Sequence, residues 1–296
     1  MSKNTIFTGS GCAIITPFTN TGIDFDTLDK LVDFQLENGT DAIIAAGTTG
    51  EASTMDDREH LSVIERVVKK VDGRVPVIAG TGSNDSRHGA ALSRSAEQLG
   101  ADALLHVTPY YNKATQDGLI KHFTLMADSV NIPVILYNVP SRTGCSIAPA
   151  TLDKLADHPN VVAIKEASGN ISLTAKMMSM CIDRIDFYSG NDDMNVPICS
   201  LGGKGAISVL ANVAPRETHE MMAKCLEGDY AAASKMQLEA IELIDALFCE
   251  VNPIPVKTAM RLMGYEAGPL RLPLSEMSEA NLEVLKTAMK NYGLLK

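Results

Sequence analysis

The chain has 296 residues, 45% of them hydrophobic and 21% charged, with a formal net charge of -10 and an isoelectric point near 5.1. The acidic balance disfavours a nucleic-acid partner, which needs a basic surface to release counterions, and no apolar run approaches the roughly 18 residues that cross a bilayer. The start, MSKNTIFTGSG, carries one lysine and no following apolar block, so it does not read as a signal peptide, and a cytoplasmic protein is expected.

Eight short apolar runs recur along the chain, most of them separated by amphipathic helical patterns. Strands are predicted at 11–17, 41–46, 75–80, 103–108, 134–139, 161–167, 186–189 and 205–210, the count of a (β/α)8 barrel. Leu28, Leu31, Val32 and Leu36 form one helical stripe after Asp26, and Leu61, Ile64, Val68 and Val71 form another after Thr54. Gly39, Gly73 and Gly100 stand where these helices should stop, as C-terminal caps. A doubly wound open sheet would also alternate strands and helices. It would want a glycine-rich dinucleotide turn after the first strand, and ITPFTNTG is not one.

From Arg216 onward the strand signals stop. Helical periodicity continues through 221–226, 232–247, 255–263 and 279–292, broken by Asn252-Pro253-Ile254-Pro255, and Ser278 is a sensible helix start. The division expected is a catalytic α/β barrel over 1–224 and an all-helical C-terminal domain over 225–296.

Cys12, Cys145, Cys181, Cys199, Cys225 and Cys249 form no CxxC pair and fit reduced, mostly buried thiols. His219-Glu220 begins like HExxH, but position 223 is alanine, so no zinc site is expected. Gly80-Thr81-Gly82-Ser83-Asn84 and Leu201-Gly202-Gly203-Lys204-Gly205 resemble phosphate cradles without completing a P-loop, and close-packed turns explain them equally well.

The stretch VVAIKEASGN, 161–170, sets one lysine in an apolar strand. Alternation puts Ala163, Lys165 and Ala167 on one face, leaving an ammonium with small neighbours and little water. Desolvation lowers a lysine pKa, and the neutral amine is the nucleophile that forms a Schiff base with a ketone or aldehyde. A strand-end lysine reaching solvent fits the segment alone as well.

Other strand ends shift that balance. After the second strand comes Gly47-Thr48-Thr49-Gly50-Glu51, whose exposed amides and hydroxyls can hold a carboxylate or simply cap a tight turn. After the fourth comes Thr108-Pro109-Tyr110-Tyr111-Asn112, and at the fifth Tyr137-Asn138-Val139-Pro140-Ser141-Arg142-Thr143. Phenols can relay the protons that an imine-to-enamine sequence moves. Arg142 adds a planar charged fork suited to a carboxylate, or to a surface salt bridge.

GTTGE, TPYYN, YNVPSRTG, VAIKEASGN, YSGND and NPIPVK together resemble, in order and across almost the whole chain, the dihydrodipicolinate synthases of the pyruvate-dependent Schiff-base aldolase superfamily. The resemblance implies a (β/α)8 barrel with a helical C-terminal domain, assembled as a homotetramer of two tight dimers. The implied reaction condenses pyruvate with L-aspartate 4-semialdehyde to 4-hydroxy-tetrahydrodipicolinate, on the route to diaminopimelate and lysine. Lys165 would form the imine and Tyr137 act as general acid and base. Thr49 and Tyr111 would complete the proton relay, with Tyr111 entering the neighbouring subunit's site. Thr48 and the amides of Thr48 and Thr49 would hold the pyruvate carboxylate, Arg142 would orient the aldehyde's carboxylate, and the main chain near Gly190 and Ile207 would border pyruvate. No cofactor or metal is implied, since the imine is made with the substrate itself.

The nearest rivals in the superfamily are N-acetylneuraminate lyases and 2-keto-3-deoxy sugar-acid aldolases, which typically lack the arginine at position 142; the lyases tend to read GSTGE. A barrel that only binds a ligand need not keep the lysine, both tyrosines and the threonine together. Lysine-inhibited members carry an effector pocket that Ser53, His60, Asn84 and Tyr110 fit. Asp57 and His88 depart from it, standing where sensitive members have histidine and glutamate, so weak or absent lysine inhibition is expected.

Overall fold

Eight parallel strands close into a barrel in chain order in the computed structural model, which describes residues 4–296. They are β1 (Gly9–Ala13), β2 (Ala42–Ala45), β3 (Val77–Gly80), β4 (Ala103–Val107), β5 (Val134–Asn138), β6 (Val161–Glu166), β7 (Asp186–Ser189) and β8 (Gly205–Ser208). Around and after them run α1 (Phe25–Glu37), α2 (Asp57–Val71), α3 (Ser86–Gln98), α4 (Gln116–Ala127), the single turn α5 (Pro140–Thr143), α6 (Pro149–Leu155), α7 (Ile171–Cys181), α8 (Asn195–Ser200), α9 (Pro215–Glu227), α10 (Tyr230–Leu247), α11 (Ile254–Leu262) and α12 (Glu279–Tyr292).

The strands are nearly continuous buried runs because a parallel sheet is covered on both faces. Inside the barrel lie Ile44, Ile78, Leu105, Ile135, Ala163, Tyr188 and Ile207, with Phe7 stacked on Tyr188 at 4.4 Å. The outward residues, such as Ile43, Leu104, Leu136 and Ile164, meet the apolar stripes of the helices in a second, larger core.

Helix limits follow the cap chemistry. Asp24 accepts from Thr27 N to start α1, and Ser278 accepts from Asn281 N to start α12. Gly39 and Gly100, at φ of 83° and 92°, end α1 and α3 in the left-handed conformation, whereas α2 already stops at Asp72, at φ 50°, one residue before Gly73. The stripe of α2 is rotated slightly from expectation: His60, Val63, Ile64, Val67 and Val71 are its buried members.

β1 starts two residues before the predicted strand and stops four before its end. Glycine reads as a strand breaker, yet Gly9 pairs with Gly205 where the barrel closes. A Cβ on Gly205 would lie 2.1 Å from the Gly9 carbonyl oxygen, so only glycine permits that seam. Beyond Ala13 the chain leaves the ladder: Ile15 N donates to Asn212 Oδ1.

After β8, α9 packs along β1, and α10 along α9 and α12. The segment between α10 and α11 brings Asn252 onto the turn after β2, and α11 brings Lys257 there. No helix among the described residues is long and apolar enough to cross a membrane.

Candidate active site

β5 and β6 place Tyr137 and Lys165 side by side in register. Lys165 is 5% exposed, and its Nζ lies 4.4 Å from the centre of the Tyr137 ring. Burial pushes its pKa down to about 8; Asp192 opposes that shift and Arg142 adds to it. Asp192 is itself held: its carboxylate accepts from Ser208 Oγ at 2.5 Å and from the amides of Val209 and Leu210 at 2.9 and 2.8 Å.

Space around the amine depends on Gly190. A Cβ there would come within 2.7 Å of Ala167 Cβ and 3.0 Å of the Lys165 side chain, while Gly190 N donates to the Glu166 carbonyl at 2.8 Å. Ile207 is fully buried in the barrel interior.

Tyr137 is raised in pKa chiefly by burial, with Arg142 and a hydrogen bond to the Thr48 side chain acting the other way. It is therefore a protonated phenol at neutral pH. That contact corrects one assignment: the hydroxyl beside the phenol is Thr48, not Thr49. Successive residues of the GTTGE turn point to different sides, and the Thr49 hydroxyl is engaged elsewhere, accepting from Asn252 Nδ2 at 3.0 Å.

Arg142 rides on α5, whose start is set by Pro140 and whose end is set by Gly144 at φ 65°. Its Nη2 donates to the Asn252 carbonyl at 3.1 Å, yet the residue remains exposed, leaving donors for a ligand. Tyr111 lies apart from this group, 90% exposed and at φ 72°.

A cavity of about 530 Å³ is lined by Lys165, Tyr137, Thr49, Arg142, Gly190 and Asn252 among others. A neighbouring one of about 500 Å³ shares Tyr137 and Arg142 with it and is lined by Thr48, Ser53, Asp57, His60, Asn84, His88 and Tyr110. In that second cavity His60 is buried, its pKa lowered mainly by desolvation, and Nε2 sits 2.7 Å from the Gly80 carbonyl. His88 Nε2 meets Asp57 Oδ1 at 2.9 Å, so the two unusual residues of the pocket pair with each other.

Sequence reasoning gave no role to Asn252, Asp192 or the Glu51–Lys257 pair. All four residues sit inside motifs already singled out, GTTGE, YSGND and NPIPVK; what matters about each is a contact with a distant part of the chain, which the motif alone does not show.

A barrel with a desolvated lysine, a protonated phenol against it and an arginine at the mouth has the groups that an enzyme working through a lysine nucleophile requires. The family model of the Dihydrodipicolinate synthetase family matches residues 6–292. The chain is 56% identical over 293 residues to the 4-hydroxy-tetrahydrodipicolinate synthase of Acetivibrio thermocellus, covering 99% of this chain and 100% of that one. It is 57% identical over 290 residues, 98% of each chain, to the synthase of Caldicellulosiruptor bescii. The solved structure of a dihydrodipicolinate synthase from Acinetobacter baumannii complexed with pyruvate superposes with a TM-score of 0.95 at 42% identity, covering 98% of this chain and 100% of that one. The chain belongs to the dihydrodipicolinate synthetase family, and it is a lyase with a (β/α)8 barrel and a helical C-terminal region.

Proposed function

We propose that this chain condenses pyruvate with L-aspartate 4-semialdehyde to 4-hydroxy-tetrahydrodipicolinate through an imine on Lys165. The single observation that carries the reading is the buried Lys165 amine, its pKa held near 8, over the Tyr137 ring. Relatives at 56% and 57% identity named as this synthase support the substrate pair, as does the pyruvate complex of the Acinetobacter baumannii protein.

The neutral amine attacks the pyruvate ketone, and the Tyr137 phenol delivers the proton that lets water leave the carbinolamine. The Thr48 hydroxyl on that phenol passes the proton on. The Thr49 hydroxyl and the amides of the GTTGE turn hold the pyruvate carboxylate, and Arg142 takes the carboxylate of the aldehyde substrate. The Tyr137 phenolate left by that transfer takes up a methyl proton to give the enamine, whose carbon attacks the aldehyde; the amino group of the same substrate then adds to the imine carbon, closing the ring and expelling the Lys165 amine. The imine is the electron sink for loss of the methyl proton, so no further cofactor is called for.

Assayed side by side, aspartate semialdehyde is expected to be consumed in the presence of pyruvate, with no cleavage of N-acetylneuraminate. Preferential cleavage of the sugar acid would overturn the substrate assignment.

Tyr111 completes the relay from a second copy of the chain, which explains an exposed, strained tyrosine; the assembly proposed is a homotetramer of two tight dimers in the cytoplasm. Tyr111→Phe is expected to lower kcat by about 10²-fold while the imine still forms. An unchanged kcat would remove Tyr111 from the relay.

Lysine inhibition is expected to be weak. An effector's ammonium needs a free carboxylate, and Asp57 is already bonded to His88; losing that charge-assisted bond removes roughly 1.5–3 kcal/mol. Strong suppression of turnover by millimolar L-lysine would contradict this.

A further inference from the structure

We infer that Asn252 is a positioning residue for the pyruvate carboxylate, acting through the Thr49 hydroxyl from a segment that joins the barrel only late in the chain. The inference rests on the pyruvate reading above.

Asn252 is 5% exposed and lines the cavity that holds Lys165, Gly190 and Arg142. Its side-chain Nδ2 donates to Thr49 Oγ1 at 3.0 Å across a separation of 203 residues. A threonine hydroxyl has one hydrogen to give and two lone pairs to receive. With a lone pair occupied by an amide N–H, the hydrogen of Thr49 must point elsewhere, and no acceptor for it is found among the described residues. A carboxylate oxygen in the cavity supplies one. Accepting from the amide also polarises the hydroxyl, which strengthens the bond that it donates.

The amide is held this way at a cost. Asn252 Oδ1 is buried with no hydrogen-bond partner, a penalty that a residue kept only for packing would not carry. The main chain of the same residue provides an internal control. Its carbonyl accepts from Arg142 Nη2, and that contact survives any change of the side chain. Loss of the side-chain amide should therefore be felt by pyruvate and not by the aldehyde.

Asn252→Ala is expected to raise the KM for pyruvate about tenfold. The KM for aspartate semialdehyde should stay within about threefold, and borohydride should still trap the Lys165 imine at saturating pyruvate. In a double-mutant cycle, the effect of Asn252→Ala should vanish on a Thr49→Val background and persist on Thr49→Ser, which keeps the hydroxyl. Asn252→Leu, which fills the same volume without the unpaired oxygen, is the second variant, with the same kinetic pattern at an unchanged or higher Tm.

An unchanged pyruvate KM, parallel rises in both KM values, or additivity with Thr49→Val would each overturn the inference. Failure to trap any imine in the wild-type enzyme would instead overturn the reading of Lys165, so the two failures are distinguishable.

Discussion

Lys165→Met is expected to lower kcat on the order of 10⁴-fold or more, because no other group in the cavity can form the covalent intermediate. The same change should make the protein more stable at pH 7. The folded value near 8 lies below the ordinary 10.5, so at neutral pH the ammonium is charged in both states and its burial costs about 3 kcal/mol. Between those two values the unfolded chain holds the proton and the folded chain does not, so this cost is relieved as pH rises through that window. Methionine has a similar length and no charge. A higher Tm at pH 7, narrowing towards wild type above pH 10, would report this exchange of stability for reactivity.

The same shift sets the pH dependence of imine formation. At pH 7 roughly one Lys165 in ten is neutral, against fewer than about one in a thousand at the ordinary value. The rate of trapping in the free enzyme should therefore rise with pH and level off above about 8. A rise continuing towards pH 10 would mean that Lys165 is an ordinary, solvated lysine.

The second large effect concerns a pair with no chemical role. Lys257 and Glu51 are both essentially unexposed, with Nζ to Oε1 at 2.7 Å. Lys257 also donates to the Pro269 carbonyl at 2.8 Å and lies 4.6 Å from the centre of the Phe18 ring, and Glu51 Oε2 accepts from Arg271 N at 3.0 Å. Glu51 closes the GTTGE turn at φ 55°, so the pair pins the turn that carries Thr48 and Thr49. Lys257→Met strands a buried carboxylate and is expected to destabilise by roughly 3–5 kcal/mol. Adding Glu51→Gln removes the stranded charge and should recover most of that loss. The double variant would then report on turn position alone, through its pyruvate KM. If denaturant unfolding shows less than about 1 kcal/mol lost in Lys257→Met, the pair is not what holds the turn.

Much of the barrel was legible because period and length are local properties. Eight apolar runs with capped amphipathic helices between them leave few alternatives, and β7 begins and ends where expected. The seam at Gly9 and Gly205 was not legible, because the close approach that requires glycine there is a contact between opposite ends of the barrel sequence. That Lys165, Tyr137 and Arg142 would meet in one cavity could be read from the sequence, since each is an unusual residue at or just after a strand end. The order of the two threonines could not: which of Thr48 and Thr49 faces the phenol depends on how the turn is rotated, and Asn252 and Glu51 fix that rotation through contacts more than 200 residues away. The structure therefore sets the Thr48 hydroxyl on the Tyr137 phenol and the Thr49 hydroxyl on Asn252, the arrangement on which the proposed division of their roles rests.

The most direct measurement is to incubate the enzyme with pyruvate, reduce with borohydride and map the modified peptide by mass spectrometry. A single stable adduct on Lys165, absent without pyruvate, is the expected result. No adduct, or one on another lysine such as Lys257, would contradict the account.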